Sequence, residues 1–160
     1  MAEPEEGRAV AGFELPVLLF AGFRSIIDDL HRDLAAHGFP EMRPAYGYAL
    51  QAVGREGASA SEIGRRLGVS KQAAGKTVEK LEGFGYVERV DDPEDGRRKL
   101  VRLTARGVEV LARSAEGFER LHAEWVRALG AERVRALEAD LRTMAPANAF
   151  RLDAERWFAG

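Results

Sequence analysis

The sequence contains no cysteine and no long apolar run. The first absence excludes disulfides, thiolate zinc sites, iron–sulfur clusters and thiol-based redox sensing. The longest apolar stretch, residues 15–23, is interrupted by Pro16 and Gly22 and falls well short of the ~20 residues that a membrane-spanning helix needs. Acidic side chains precede it, whereas a secretory signal peptide begins with basic ones. We therefore expect a cytoplasmic protein that does not contact a membrane.

Patterns of enzymatic chemistry are also missing. The sequence has no P-loop, no Rossmann glycine pattern and no serine nucleophile elbow. Its histidines are His31, His37 and His122, and the first two are six residues apart, not the three or four that align metal ligands on a helix. The acidic pairs at 28–29 and 91–92 are adjacent in sequence, so their carboxylates diverge. We therefore expect that the protein is not an enzyme and that it binds neither a cofactor nor a metal.

Apolar periodicity and turn residues predict six helices and one β-hairpin. The helices span residues 15–36, 45–53, 60–67, 71–82, 105–129 and 131–144, and the strands span 86–90 and 99–103. Ser59 and Glu62 form a capping-box pattern, Gly68 ends the short third helix, and Ser70 and Thr104 cap later helices. Two capped helices joined by a tight turn make a helix-turn-helix, and the hairpin after them makes it a winged helix. The expected core face of the long helix comprises Val108, Leu111, Phe118, Leu121, Trp125 and Leu129.

The helix over residues 71–82 has one apolar face and one polar face. Ala74, Val78 and Leu81 share the first, and Gln72, Gly75, Lys76, Glu79 and Lys80 lie on the other. Glutamine can bond adenine edges in a major groove, and lysine can reach guanine or phosphate. A glycine within a helix costs ~1 kcal/mol relative to alanine, which close approach to DNA would offset. The alternative is a solvated helix face with a tolerated glycine.

The hairpin loop is the second basic feature. Arg97, Arg98 and Lys99 follow a turn set by Asp95-Gly96, where an arginine can enter a minor groove. We expect Asp92 and Asp95 to orient the guanidinium of Arg97. The alternative is a polar turn that only keeps an edge hairpin soluble.

Residues 59–107 resemble the winged helix-turn-helix of the multiple-antibiotic-resistance regulator (MarR) family. The matching marks are the LGVS turn at 67–70, Gly85-Tyr86-Val87-x-Arg89, and above all Asp-Gly-Arg-x-x-x-Val-x-Leu-Thr-x-x-Gly at 95–107. The family's wing often reads Asp-x-Arg-Asp-x-Arg. That frame falls on Asp92, Glu94, Asp95 and Arg97, so Glu94 replaces its first arginine and the wing contact rests on Arg97.

The resemblance implies a mostly α-helical winged helix-turn-helix flanked by N- and C-terminal dimerisation helices. The expected organisation is a flexible N-terminus at 1–12, a dimerisation helix and connector at 13–44, the DNA-binding domain at 45–103, and C-terminal dimerisation helices at 104–160. A homodimer is also expected because the apolar stripe at 18–34 and the tail residues Phe150, Trp157 and Phe158 exceed what one small domain can bury.

These observations predict a homodimeric transcriptional regulator that binds a pseudo-palindromic duplex operator, with repression by occlusion implied by the resemblance. The expected DNA-binding residues are Ser70, Lys71, Gln72, Gly75, Lys76, Lys80, Asp95, Arg97, Arg98 and Lys99. The resemblance also implies a small aromatic or amphipathic effector. Aromatic residues of the helical arms (Phe20, Phe23, Tyr46, Tyr48 and Trp125) could line its cleft, with Arg43 or His37 for a carboxylate, or could serve as plain core. The rival hypothesis is a winged-helix module that contacts protein instead of DNA.

Overall fold

The protein is described here from a computed structural model that covers residues 12–145. Its helices are α1 (Glu14–Ala36), α2 (Pro44–Val53), α3 (Ala60–Leu67), α4 (Lys71–Gly83), α5 (Ala105–Leu129) and α6 (Ala131–Met144), and its strands are β1 (Val87–Asp91) and β2 (Lys99–Leu103). The predicted mostly helical winged helix is confirmed. Residues 1–11 of the predicted flexible segment 1–12, and the apolar tail residues from 150 onward, lie outside the described residues. No helix within 12–145 is long and apolar enough to cross a membrane.

Local hydrogen bonds set the helix-turn-helix as the sequence predicted. Ser59 Oγ accepts from the backbone N–H of Glu62 at 3.3 Å, and Glu62 Oε2 accepts from that of Ser59 at 2.7 Å. Gly68 ends α3 in the left-handed conformation with φ of 70°, and Ser70 caps α4. Gly64 allows the tight turn, because a Cβ atom there would lie 2.9 Å from the carbonyl oxygen of the residue after Gly68.

The wing is a two-stranded antiparallel hairpin whose base is tied to the segment before α3. Val87 pairs with Leu103, and Ala58 exchanges two backbone hydrogen bonds of 3.0 and 2.9 Å with Val101. The predicted first strand, 86–90, was wrong by one residue. Tyr86 instead closes α4, since its N–H donates to the Leu81 carbonyl and its carbonyl accepts from residue 104.

One hydrophobic core joins the second half of α1, the connector after it, α2, α3, α4, the hairpin and α5. The predicted core face of α4 is confirmed, because Ala74, Val78 and Leu81 are all fully buried. Pro44 is the first residue of α2, not a stop before it, since proline suits the first position of a helix.

The predicted core face of α5 was wrong in part. Val108 and Leu129 are exposed, and the buried positions are Gly107, Val110, Ser114, Gly117 and Leu121. The reason is close packing of α5 at its glycines. A Cβ atom on Gly107 would lie 2.1 Å from the carbonyl oxygen of Tyr86, just before β1, and one on Gly117 would lie 2.5 Å from Leu30 Cδ1 on α1. Counting apolar side chains therefore missed a face that small residues form.

The first half of α1 remains apolar and exposed. Large apolar side chains there are between 43% and 71% exposed: Phe13, Leu15, Val17, Leu18, Leu19, Phe20 and Phe23. Further along the same helix, Ile27, Leu30 and Leu34 are buried against the core. In the single chain this half of α1 therefore exposes apolar surface, as the sequence predicted.

Candidate nucleic-acid interface

The outer face of α4 carries cations that form no ion pair with the described residues. Lys71 is exposed, and so are Gln72, Lys76 and Lys80, which the helical wheel placed on this face. No carboxylate among the described residues forms an ion pair with these three lysines. Their charges are therefore available to a polyanion.

Gly75 lies on that face with open space beside it. A Cβ atom built on Gly75 would meet no atom within 4 Å, and its φ is not positive. Neither packing within residues 12–145 nor backbone conformation therefore requires glycine there. Nothing in the described part of the protein offsets the lower helix stability that glycine gives relative to alanine.

An open cleft of about 430 Å³ lies between the wing and the N-terminal ends of α3 and α4. Its wall includes five cations and one carboxylate: Arg65, Lys71, Arg97, Arg98, Lys99 and Glu62. The structure thus brings predicted site residues from α4 and the wing to one place. Gln72, Lys76 and Lys80 lie outside the cleft wall, on the exposed face of α4.

The turn at the wing tip presents Arg97. The Asp95 carbonyl accepts from the N–H of Arg98 at 2.9 Å, and Asp95 Oδ1 accepts from the N–H of Arg97 at 3.0 Å. No carboxylate of the described chain lies within ion-pair distance of the Arg97 guanidinium. The expectation that Asp92 and Asp95 hold this guanidinium was wrong: Asp95 holds the Arg97 backbone, and Asp92 pairs with Arg98.

The other two wing cations are already paired. Arg98 contacts Glu62 at 3.3 Å and Asp92 at 3.4 Å, and Lys99 forms an ion pair with Asp91. Hydrogen bonds from Ser59, helped by the charge of Arg98, lower the pKa of the Glu62 carboxyl, against an opposing effect of burial. At neutral pH the carboxylate beside Arg98 is therefore ionised.

A sequence model described as the MarR family matches residues 41–98, which run from the connector before α2 to the wing. Over this segment the chain resembles the MarR family. The transcriptional regulator YdgJ of Bacillus subtilis, described as uncharacterized, is 34% identical over 79 residues. That match covers 49% of this chain and 48% of YdgJ, so the chain spans about half the length of this curated relative.

The fold extends over more of the chain than the sequence match. FabT of Streptococcus pneumoniae, in a complex with DNA, superposes with a TM-score of 0.71 at 16% identity and covers 84% of this chain and 94% of FabT. The PcaV transcriptional regulator of Streptomyces coelicolor, solved with its natural ligand, superposes with a TM-score of 0.60 at 24% identity. It covers 92% of this chain and 99% of PcaV. At these identities the likeness concerns the fold.

Sequence reasoning missed Arg65 at this candidate interface. Arg65 is exposed on α3 and lines the cleft with Lys71 and the wing cations. The buried positions of α3 are Ile63 and Gly64, so a helical wheel of that short helix would have placed Arg65 outward. Its neighbour Arg66 has a structural contact, donating to the Ala52 carbonyl at 2.6 Å.

A second, small cavity of about 40 Å³ lies between α1, α2 and α5. Polar groups reach it from His31, Arg43, Tyr48 and Gln51, and its apolar wall includes Leu30, Leu34, Met42, Leu111 and Phe118. Burial and the nearby Arg43 lower the pKa of His31, against a smaller opposite effect of Asp28. The imidazole is therefore biased toward its neutral form.

Among the residues that could bind a ligand, Arg43 and Tyr48 line this cavity. His37 lies outside it, exposed and bonded through Nδ1 to the Asp33 carbonyl at 2.8 Å. The histidine that lines the cavity is His31, which shares a helix face with Leu30 and Leu34. Among the expected aromatics Tyr48 reaches the wall, whereas Tyr46 packs against Phe84 in the core.

Proposed function

We propose that this chain is a DNA-binding transcriptional regulator that acts as a homodimer on a pseudo-palindromic duplex. The observation that carries this proposal is the row of lysines on α4 without partners in the described chain, continuous with a cleft whose wall holds five cations and one carboxylate. A surface of this kind is suited to the regular negative charge of duplex DNA. A chromosomal target implies a cytoplasmic protein.

In this proposal α4 enters the major groove. Gln72 and Lys76 read base edges, while Lys71 and Lys80 contact the backbone together with the N-terminal turn at Ser70. Gly75 lets the helix approach the groove closely. Bound in this way, α4 supplies the sequence discrimination.

The wing and α3 supply backbone contacts beside α4. Arg97 reaches a minor groove from the turn that Asp95 forms, and Arg65 adds a cation at the cleft. FabT, whose fold is similar, was solved in a complex with DNA, which supports a duplex as the partner.

The exposed apolar half of α1 supports a homodimer. Side chains such as Leu18 and Phe20, each more than 60% exposed, form a larger apolar patch than a soluble monomer usually shows. A second copy of the chain would cover them. Two-fold symmetry then requires two half-sites about one helical turn apart, ~10 bp or a multiple of it.

Repression by occlusion, with release by a small aromatic or amphipathic effector, completes the proposal. The cavity between α1, α2 and α5 offers Arg43 and His31 to a carboxylate and apolar walls to the rest. It is far smaller than the ~300–1,000 Å³ of a usual ligand pocket, so binding must widen it. Widening would move α1 and α5 relative to α2. It would therefore also move them relative to the winged helix, to which α2 belongs. PcaV, with a similar fold, was solved with a natural ligand.

The deciding experiment is a selection from random-sequence duplexes of ~30 bp with the full chain. We expect enrichment of a two-fold symmetric motif, followed by a gel shift that a scrambled duplex does not give. The matched control is a Lys71→Glu, Lys76→Glu double variant, which reverses two exposed charges of the α4 face and should leave the core intact. Recovery of no motif from the wild-type selection would contradict the proposal.

One observation favours the rival, a module that contacts protein. Four cations of the hairpin are paired with carboxylates, since Arg89 contacts Glu82 and Arg102 contacts Glu88 in addition to the pairs of Arg98 and Lys99. The partner carboxylates offset the positive charge that the hairpin would present to DNA. The same selection separates the two functions, because a protein-binding module enriches no duplex.

A further inference from the structure

The wing loop is closed by its own hydrogen bonds. The N–H of Asp92 donates to the Arg98 carbonyl at 3.0 Å, and the N–H of Arg98 donates to the Asp95 carbonyl at 2.9 Å. Asp92 Oδ1 also accepts from the N–H of Glu94 at 2.9 Å. The segment from 92 to 98 is therefore one unit, and Arg98 is at its end.

The side chain of Arg98 ties this unit to α3. Its Nε lies 3.4 Å from Asp92 Oδ2 inside the loop, and its Nη2 lies 3.3 Å from Glu62 Oε2 on α3. The same Glu62 oxygen accepts from the Ser59 N–H in the capping box at 2.7 Å. The capping box holds the Glu62 carboxylate in place, and the Asp92 side chain is only 11% exposed.

We propose that Arg98 is a positioning residue of the DNA interface: it holds the wing loop against the start of α3, and Arg97 alone among the loop arginines contacts DNA. The inference rests on the proposed function. Arg97 lies one residue before Arg98 and has no ion pair in the described chain, so fixing Arg98 fixes where Arg97 is presented relative to α4. An ordered contact group loses less conformational entropy on binding.

The direction in which Glu62→Gln changes the affinity for DNA tests this proposal. Glutamine at this position still accepts the capping hydrogen bond, so the helix start is retained while the ion pair with Arg98 is lost. If Arg98 contacts a phosphate, removing the competing carboxylate frees Arg98 and tightens DNA binding. If Arg98 positions the wing, Glu62→Gln weakens binding as Arg98→Gln does.

The measurement is the dissociation constant of each variant for the selected duplex, by fluorescence anisotropy over a series of salt concentrations. We expect both single variants to bind about twofold to fivefold more weakly, the range of an exposed ion pair, and the double variant to be no weaker than Arg98→Gln. The log–log salt slope should change by well under the ~0.9 that a lost phosphate contact gives. The control is Arg32→Gln, which removes an exposed arginine paired with Asp29 at 2.6 Å on α1 and should bind like wild type.

Tighter binding by Glu62→Gln, or a salt slope reduced by ~0.9 in Arg98→Gln, would overturn the proposal. A second measurement needs no DNA: backbone ¹⁵N relaxation of residues 94–97 in the free protein. We expect both variants to make these amides more mobile and Arg32→Gln to leave them unchanged. Should wild type bind no duplex, the proposed function fails, and relaxation still decides whether Arg98 orders the loop. Unchanged relaxation in both wing variants contradicts the inference.

Discussion

The hydroxyl of Tyr86 donates a hydrogen bond to Glu41 Oε2 at 2.9 Å, across 45 residues of sequence. This bond joins the connector between α1 and α2 to the end of α4. Arg106 closes the junction, because its guanidinium lies 4.8 Å from the ring centre of Phe39 and 5.0 Å from that of Tyr86. It also donates to the Gly38 carbonyl at 2.8 Å. The helical arms and the winged helix therefore meet through a specific polar network.

That network predicts an alkaline loss of stability. Burial, together with the hydrogen bond and charge of Glu41, raises the pKa of Tyr86 from its usual 10.0 to about 12. Because the folded pKa exceeds the unfolded one, the stabilisation is fully present below pH 10 and is lost between pH 10 and about 12. Tyr86→Phe should lower the free energy of unfolding by about 1 kcal/mol at pH 7, through loss of the hydrogen bond.

The check is urea unfolding of wild type and Tyr86→Phe from pH 7 to 12, with the absorbance of tyrosinate recorded in parallel. The difference between the two titrations isolates Tyr86 from the other tyrosines and from lysine ionisation. If the difference between the two titrations is centred near pH 10, the usual pKa of tyrosine, the Tyr86 hydroxyl is not held by burial and Glu41.

Gly75→Ala should stabilise the protein and weaken DNA binding at once. Alanine is favoured over glycine within a helix by ~1 kcal/mol, and the new methyl group meets nothing within 4 Å in the free protein. The same methyl group would stand between α4 and the groove. Thermal unfolding and anisotropy measure the two effects. Unchanged affinity would place Gly75 away from the DNA.

The matched glycine variant is Gly107→Ala. Its Cβ atom would lie 2.1 Å from the Tyr86 carbonyl oxygen, a backbone atom that cannot move aside alone. We expect a loss of at least ~1–3 kcal/mol in the free energy of unfolding, as for other overpacked sites. The two substitutions should change the free energy of unfolding in opposite directions. This difference distinguishes a glycine required by packing from one required for DNA binding.

Gln72→Ala and Lys76→Ala should change which duplexes bind while leaving stability intact, because both side chains are exposed and the core face of α4 is opposite. Each lost base contact should reduce discrimination by ~1–3 kcal/mol. Affinities for the selected duplex and for single-base variants of it measure this. Equal weakening on selected and scrambled duplexes would show that these residues do not read bases.

Arg97→Ala should mainly lower affinity, with less effect on discrimination. Loss of one cationic contact should reduce the log–log salt slope by ~0.9 per contact. Asp95→Ala should give a weaker form of the same defect, since Asp95 forms the turn by holding the Arg97 backbone. A salt titration on one selected and one scrambled duplex tests both, with Arg32→Ala as the charge-matched control. Wild-type affinity in Arg97→Ala would remove the wing tip from the mechanism.

Phe20→Asp should dissociate the proposed homodimer. Phe20 is 63% exposed on the apolar half of α1, so a charge there costs little in the single chain and much in a buried interface. Light scattering should give twice the 17.6 kDa chain mass for wild type and the chain mass for the variant. Val69→Asp is the control, as another exposed apolar residue outside α1. A monomeric wild type at micromolar concentration would contradict the dimer.

Much of the fold was predictable because its signals are local. The caps at Ser59, Ser70 and Thr104 bond to backbone groups three residues away, and Gly68 stops α3 by its own conformation. Every predicted helix and strand boundary therefore lies within one residue of the observed one. The core face of α4 was equally readable, since its periodicity depends only on its own thirteen residues.

Tertiary structure alone decided which groups meet across the chain. The face of α5 depends on how closely Gly107 passes the Tyr86 carbonyl. His31 lines the cavity between α1, α2 and α5, whereas His37 lies beyond the last residue of α1. In the wing the sequence placed several cations and carboxylates side by side without indicating their pairing. Arg98 is paired because Glu62, 36 residues earlier, is held in reach by the α3 cap, and Arg97 is left without a carboxylate partner in the described chain. Contacts between neighbours follow from short-range geometry, whereas contacts between distant residues follow from how the elements pack.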